Sequence, residues 1–127
     1  PQLLLAEDNE LNSEIATALL EEQGASITAV ENGRLALEAI QNAAPRTYDA
    51  ILMDVMMPEM NGLEATRCIR AFEGKGPGEG TPIIAMTANV FADDVKACLD
   101  AGMNSHVGKP LDMKVLIGEI LKYTNAH

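Results

Sequence analysis

The 127-residue chain lacks several features that would place it in common functional classes. It has no Trp, two Tyr and two Phe, so its core must be built largely from aliphatic side chains. Its two Cys residues have no CxxC neighbour and no His at metal-ligand spacing, which favours a reduced, intracellular protein. No apolar run reaches the roughly 18 residues that a membrane-spanning helix requires. We therefore expect a cytoplasmic globular protein.

Basic residues are also scarce. Nine Lys and Arg stand against 19 Asp and Glu, which gives a formal net charge of −10. This balance disfavours partners that present phosphates, both nucleic acids and anionic membrane surfaces. The acidity can serve solubility alone, or some of the carboxylates can form a cation site. The chain begins with Pro1 and Gln2, without the basic region of a signal peptide. We expect residues 1–127 to form a single domain cut from a longer chain.

Short apolar segments alternate with amphipathic stretches along the whole chain. The apolar segments predict five strands, at residues 3–6, 26–30, 50–53, 82–86 and 105–107, each followed by a helical pattern. This order predicts an α/β protein of the flavodoxin-like, doubly wound type. Its five-stranded parallel sheet has the strand order 2-1-3-4-5, with five helices covering both faces. The Gly-rich residues 74–80 follow a helix rather than a strand, so we interpret them as a flexible surface loop rather than a phosphate cradle.

Polar residues follow four of the five predicted strands. They are Glu7 and Asp8 after the first, Asp54 after the third, Thr87 after the fourth and Lys109 after the fifth. In this class of fold, ligands bind beyond the carboxyl ends of the strands. The first and third strands are neighbours in the expected order, so the three carboxylates should meet at one edge of the sheet.

Such a carboxylate cluster is electrostatically unfavourable by itself. Two unit charges about 4 Å apart repel by about 4 kcal/mol at an effective dielectric constant of about 20. The cluster must therefore take up protons or bind a cation. Its ligands are all oxygen atoms, which selects a hard cation, Mg²⁺ first and Mn²⁺ as an alternative.

The same edge carries the groups that phosphoryl transfer requires. An Asp carboxylate can act as a nucleophile and form an acyl phosphate, which makes Asp54 the candidate acceptor. Lys109 would add a positive charge, and the Thr87 hydroxyl would donate a hydrogen bond to a phosphoryl oxygen. Beyond positioning and charge neutralisation, this reaction demands little from a protein.

Five stretches of the chain resemble the receiver domains of two-component response regulators, over essentially its whole length. They are residues 5–9 (LAEDN), 53–58 (MDVMMP), 60–62 (MNG), 85–88 (AMTA) and 109–110 (KP). Residues 60–66 and 82–89 are most similar to receivers in hybrid sensor histidine kinases. The resemblance implies a domain that catalyses its own phosphorylation and dephosphorylation without being a kinase by itself. The parent chain would then be a histidine kinase, of which this is a cytoplasmic part.

The resemblance also implies roles for individual residues. Asp54 would accept the phosphoryl group from a phosphohistidine. Asp8, Asp54 and the Met56 backbone carbonyl would bind Mg²⁺, with Glu7 contributing through a water molecule. Met56 and Asn89, two residues beyond the acceptor and two beyond the Thr, would flank the path of the hydrolytic water. Neither is a base, which implies slow loss of the phosphoryl group.

Further expectations concern the fifth strand and the partners. Thr87 and Lys109 would contact the phosphoryl group, and a cis peptide bond would precede Pro110. Receivers usually have Tyr or Phe as the switch partner of the Thr, whereas this chain has His106 at that position. The expected partners are a histidine kinase or a histidine phosphotransfer domain. A phosphorylation-dependent dimer is a further expectation.

Three other functions share part of this pattern. An aspartate-nucleophile phosphatase of the haloacid-dehalogenase type needs a second Asp two residues beyond the first, where this chain has Met56. A flavin carrier of the same fold has a Ser-, Thr- and Gly-rich phosphate loop, whereas residues 7–10 (EDNE) would repel a phosphate. An inactive receiver-like binding module would not need the acceptor, the acidic pair, Thr87 and Lys109 together.

Overall fold

Strands and helices alternate throughout the part of the chain that the structure describes. The structure is a computed structural model that describes residues 2–44, 47–55, 57, 60–76, 79–87, 92–108 and 112–124. Its elements are β1 (Gln2–Ala6), α1 (Glu10–Glu22), β2 (Ser26–Val30), α2 (Gly33–Asn42), β3 (Ala50–Asp54), α3 (Gly62–Glu73), β4 (Ile83–Thr87), α4 (Ala92–Ala101), β5 (Ser105–Gly108) and α5 (Met113–Thr124). No helix in these ranges is long and apolar enough to cross a membrane.

The five strands form one parallel sheet in the order β2-β1-β3-β4-β5, which confirms the predicted topology. The pairing register brings Ala6 opposite Met53 and Asp54 opposite Met86. Thr87 is likewise opposite Gly108. Because all strands run in one direction, their carboxyl ends lie along one edge of the sheet. This edge is called the carboxyl edge below, and the opposite one the amino edge.

Aliphatic side chains fill both faces of the sheet. All five residues of β3 and of β4 are buried, as expected for parallel strands covered on both sides. One face packs beneath α2, α3 and α4, with Leu4, Met53, Ile69, Ile83 and Met103 among its buried residues. The other packs beneath α1 and α5, with Leu5, Leu20, Leu52, Ile84 and Leu116.

Helix starts and strand ends follow local sequence signals closely. Asn32 caps α2, because its side-chain oxygen accepts a hydrogen bond from the Leu35 amide. The predicted fourth strand, residues 82–86, is one residue out of register with β4, which is Ile83–Thr87 and so includes Thr87. The predicted third strand ended at residue 53, but β3 includes Asp54. Both differences are within the usual uncertainty of element ends.

Candidate functional site

Three acidic side chains converge at the carboxyl edge. Glu7 follows β1, Asp8 comes next, and Asp54 is the last residue of β3. One carboxylate oxygen of each lies within 4.8 Å of those of the other two. The pairing of Ala6 with Met53 places the ends of β1 and β3 side by side, which explains this convergence. The predicted cluster is therefore present in the structure.

The cluster extends from the interior to the surface. Glu7 and Asp54 are 5% and 4% exposed, whereas Asp8 is exposed. The backbone holds Glu7 in place, because its amide donates to the Val30 carbonyl (3.1 Å) and its carboxylate accepts from the Asn9 amide (3.1 Å). Like charges that are partly removed from water repel more strongly than exposed ones, so this arrangement favours a bound cation.

Thr87 lies on β4, the strand next to the one that carries Asp54. It is the last residue of β4 and is buried. Asp54 pairs with Met86, so Thr87 is one residue beyond the partner of Asp54 on the neighbouring strand. His106 is half-buried on β5 and pairs with Ala85, two residues before Thr87. Their predicted action as a switch pair stays a prediction.

Several predicted site residues fall outside the described residues. They are Met56, Asn89, Lys109 and Pro110. Their assigned roles in metal binding, hydrolysis, phosphoryl contact and the cis peptide bond therefore remain predictions.

An exposed apolar stripe lies on α1, the helix that follows the acidic pair. Leu11, Ile15 and Leu19 recur every four residues and are 64%, 50% and 37% exposed. Residues four apart lie on the same side of a helix, so the three side chains form one surface. Around them α1 carries Glu residues and no Lys or Arg.

Sequence reasoning missed the contacts that hold the loop after Asp54. The Gly33 amide at the start of α2 donates to the Met60 carbonyl (3.0 Å), and the Gly62 amide at the start of α3 donates to the Val55 carbonyl (2.9 Å). The one signal in the sequence was the Asn-Gly dipeptide at both positions, 32–33 and 61–62. Such dipeptides usually mark turns, but here each begins a helix.

A family model identifies the arrangement. The model of the response regulator receiver domain matches residues 3–121. The chain belongs to this family. The receiver domain therefore has the flavodoxin-like fold and the place in two-component and phosphorelay signalling that its sequence motifs predicted. Membership favours this function over the phosphatase and the flavin carrier.

Known relatives place such receivers in hybrid kinases. The receiver domain is 39% identical to the sensor protein GacS of Pseudomonas syringae pv. syringae, over 98% of this chain and 13% of GacS. It is 38% identical to the hybrid signal transduction histidine kinase L of Dictyostelium discoideum, over 95% of this chain and 7% of that kinase. The chain thus spans only a small part of these relatives.

Solved structures agree in fold. The receiver domain of the sensor histidine kinase PA1611 from Pseudomonas aeruginosa, which has a magnesium ion coordinated in its active-site cleft, matches with a TM-score of 0.84 and 37% identity, covering 98% of this chain and 97% of that one. A co-crystal structure of the Saccharomyces cerevisiae histidine phosphotransfer protein Ypd1 with the receiver domain of Ssk1 matches with a TM-score of 0.88 and 26% identity, covering 98% and 88%.

Proposed function

We propose that the receiver domain accepts one phosphoryl group on Asp54 from a phosphohistidine, with Mg²⁺ bound beside it, and changes partners as a result. The observation that carries the proposal is the position of Asp54. This residue is nearly buried at the end of a central strand, and its carboxylate lies within 4.8 Å of those of Glu7 and Asp8.

The donor set fits Mg²⁺. The cluster offers only carboxylate oxygens, the ligands that hard divalent cations prefer. The related PA1611 receiver, which has Mg²⁺ in its cleft, supports the same ion here. We assign Asp8, Asp54 and the Met56 carbonyl as direct ligands and Glu7 as a contact through water. When bound, Mg²⁺ would neutralise charge on the phosphoryl oxygens.

The transfer step uses groups of this chain. A carboxylate oxygen of Asp54 attacks the phosphorus atom, and a P–O bond forms as the P–N bond of the phosphohistidine breaks. The imidazole leaves with the bonding electron pair. Thr87 donates a hydrogen bond to a phosphoryl oxygen, and Lys109 balances the charge. The burial of Asp54 limits the access of water to the new acyl phosphate.

The exposed stripe on α1 is the proposed docking surface for the donor. Leu11, Ile15 and Leu19 lie on the helix that follows the acidic pair, and the Glu residues around them favour a partner with an apolar patch and a basic rim. The Ypd1–Ssk1 complex shows another receiver domain together with a histidine phosphotransfer protein. A phosphotransfer domain or a histidine kinase is therefore the proposed donor.

Further parts of the proposal concern the switch, the lifetime of the acyl phosphate, the parent chain and a dimer. Thr87 and His106 act as the switch that responds to phosphorylation, with a smaller, polar imidazole in place of the usual Tyr or Phe ring. Met56 and Asn89 leave the hydrolytic water without a base, so the phosphoryl group persists long enough for onward relay. Residues 1–127 form one receiver domain of a hybrid histidine kinase, in its cytoplasmic part, and phosphorylation favours a dimer.

The direct test is labelling with a small phosphodonor. The purified domain is incubated with acetyl phosphate and Mg²⁺, and its intact mass is measured. We expect one added phosphoryl group, lost from the Asp54→Asn variant and absent in excess chelator. An inactive binding module would remain unlabelled under all three conditions, and that result would reject the proposal.

A further inference from the structure

The loop that follows the acceptor is held by two helices. Its described residues are Val55, Met57, Met60 and Asn61, between β3 and α3. The Gly62 amide donates to the Val55 carbonyl and so closes the loop at its base. The Gly33 amide donates to the Met60 carbonyl and joins the far end of the loop to α2 (3.0 Å). Helix α2 contributes no residue to the carboxylate cluster.

No side chain fits at either glycine. A Cβ atom at Gly33 would overlap the Met60 carbonyl oxygen and come within 3.0 Å of the Ala65 Cβ. At Gly62 it would overlap the carbonyl oxygen of Asp54 itself. Backbone atoms cannot move aside as the end of a flexible side chain can. Positive φ angles occur at Gly24, Gly74 and Gly102 but not at Gly33, so the requirement for glycine there is one of space.

The beginning of α2 is otherwise well fixed. Asn32 is buried, and its side-chain oxygen accepts from the Leu35 amide (2.8 Å). The Ala36 amide donates to the Asn32 carbonyl (3.1 Å). Ala36 and Ile40 on the same helix are buried in the core. Because α2 is anchored in this way, a Cβ at Gly33 would displace the loop more readily than the helix.

We infer that Gly33 is a positioning residue for phosphoryl transfer: the close contact between the first turn of α2 and Met60 sets the position of the loop that follows Asp54. The inference rests on the proposed function, because it assigns Gly33 an effect on the metal and phosphoryl site. Helix α2 then contributes to the site through its backbone, although none of its side chains belongs to the carboxylate cluster.

The matched experiment compares Gly33→Ala with Gly118→Ala. Gly118 lies in α5, and a Cβ there would meet nothing within 4 Å. Each substitution adds one methyl group to a helix. We expect Gly33→Ala to weaken Mg²⁺ binding and to slow labelling by acetyl phosphate about tenfold or more, since a misplacement of about 1 Å can cost on the order of 10²-fold. Gly118→Ala should change neither.

A structural role alone predicts another pattern. It would lower the free energy of unfolding of Gly33→Ala while leaving the Mg²⁺ affinity and labelling rate of the folded protein unchanged, and that result would overturn the inference. Nuclear magnetic resonance of the metal-free protein adds a direct readout. The amide signals of Val55, Met57 and Asn61 should shift in Gly33→Ala and remain in place in Gly118→Ala.

Two further outcomes stay interpretable. If Gly33→Ala does not fold, hydrogen exchange of the unmodified protein tests the inference instead. Mg²⁺ should slow exchange of the Gly33 amide and leave exchange of the Gly118 amide unchanged. Equal exchange of the Gly33 amide with and without Mg²⁺ rejects the inference. If the unmodified protein binds Mg²⁺ but is not labelled, the proposed function fails. The amide shifts of the loop then still decide whether Gly33 positions it.

Discussion

The two edges of the sheet differ in how their buried charges are arranged. At the carboxyl edge, Glu7, Asp8 and Asp54 bring three carboxylates together. At the amino edge, Arg70 is nearly as buried, at 9% exposure, but it is surrounded by acceptors. Its Nε donates to the Gly102 carbonyl (2.9 Å), and its Nη1 donates to the Thr81 carbonyl (2.9 Å).

The remaining Arg70 contacts complete a network. Nη1 also contacts Glu73 Oε1 (3.0 Å), and Nη2 donates to Asn104 Oδ1 (2.8 Å). Glu73 Oε2 accepts from both the amide and the hydroxyl of Thr81. Burial lowers the pKa of the Arg70 guanidinium, and its hydrogen bond and ion pair with Glu73 oppose this effect. The network joins α3 to the starts of β4 and β5.

The difference separates stability from function. Opposite charges with satisfied hydrogen bonds hold the amino edge together, whereas like charges at the carboxyl edge lower stability until a cation binds. Substitutions at the amino edge should therefore lower the free energy of unfolding and spare the chemistry, whereas substitutions at the carboxyl edge should impair the chemistry and, without Mg²⁺, raise the free energy of unfolding. Five predictions test this division.

The largest effect is expected for Asp54→Asn. Labelling by acetyl phosphate should disappear, because the amide is not a nucleophile. Removal of one like charge should also raise the free energy of unfolding without Mg²⁺, by about 1 kcal/mol or more. Intact mass and urea unfolding measure the two effects, with the exposed Asp100→Asn as control. Full labelling of Asp54→Asn at the original rate would refute the assignment.

Arg70→Met should show the reverse pattern. It removes the partner of Glu73 and leaves the Thr81 and Gly102 carbonyls without this donor, so the free energy of unfolding should fall by about 2–4 kcal/mol. The folded fraction should label at the original rate. Arg67→Met on the exposed side of α3 should change stability by at most about 0.5 kcal/mol. Equal loss of stability in both variants would contradict the assigned role of the Arg70 network at the amino edge.

Substitutions of Glu7 and Asp8 should reduce the Mg²⁺ affinity to different extents. Asp8→Ala should lose more Mg²⁺ affinity than Glu7→Ala, because Asp8 is assigned as a direct ligand. The Glu7 variant should lose about 10–100-fold, as outer-shell partners of metals usually do. Mg²⁺ titrations of each variant give the affinities. Labelling that continues unchanged in excess chelator would contradict the metal requirement altogether.

The lifetime of the acyl phosphate tests Met56. A positioned base or orienting group is worth about 10²–10⁴-fold, so its absence should lengthen the lifetime by about one to two orders of magnitude. Met56→Asn and Met56→Glu should shorten it, as measured by loss of phosphate from the labelled domain. Decay within seconds in the unmodified protein, or no response to either substitution, would rule out this role.

The smallest effect is expected on the docking surface. Ile15→Asp should slow transfer from the cognate phosphohistidine donor about tenfold, which corresponds to about 1.4 kcal/mol, and should spare labelling by acetyl phosphate. Val115→Asp, at a similarly exposed position on α5, is the control. Equal slowing with both donors would indicate misfolding rather than lost docking.

Much of the carboxyl edge could be predicted because its signals are local. Each strand is a short apolar run, and each polar site residue comes at its end, so the alternation of strands and helices was enough to place Asp54 beside Glu7. The caps of α2 and α3 are local as well, since Asn32 and Asn61 each begin a helix. An Asn-Gly dipeptide is, however, compatible with a turn as well as with a helix start.

The amino edge and the Gly33 contact could not be predicted in this way. Arg70 and Asn104 are 34 residues apart, and nothing near either residue indicates the other. Arg70 also lies in an amphipathic helix, where an Arg is usually exposed. Gly33 was overlooked because its role depends on the position of the Met60 carbonyl, in a different segment of the chain.

Patterns along the chain were sufficient to predict the elements, the family and the residues that meet at the carboxyl edge. The elements and the edge residues follow from hydrophobic period and from polar residues at strand ends, which act over a few residues, and the family follows from the resemblance of five short motifs. Three features depend on tertiary packing: Glu7 and Asp54 are buried while Asp8 is exposed, Arg70 is buried among hydrogen-bond acceptors, and Gly33 contacts the carbonyl of Met60. Burial and close contact depend on how distant segments pack, and packing is a property of the whole fold.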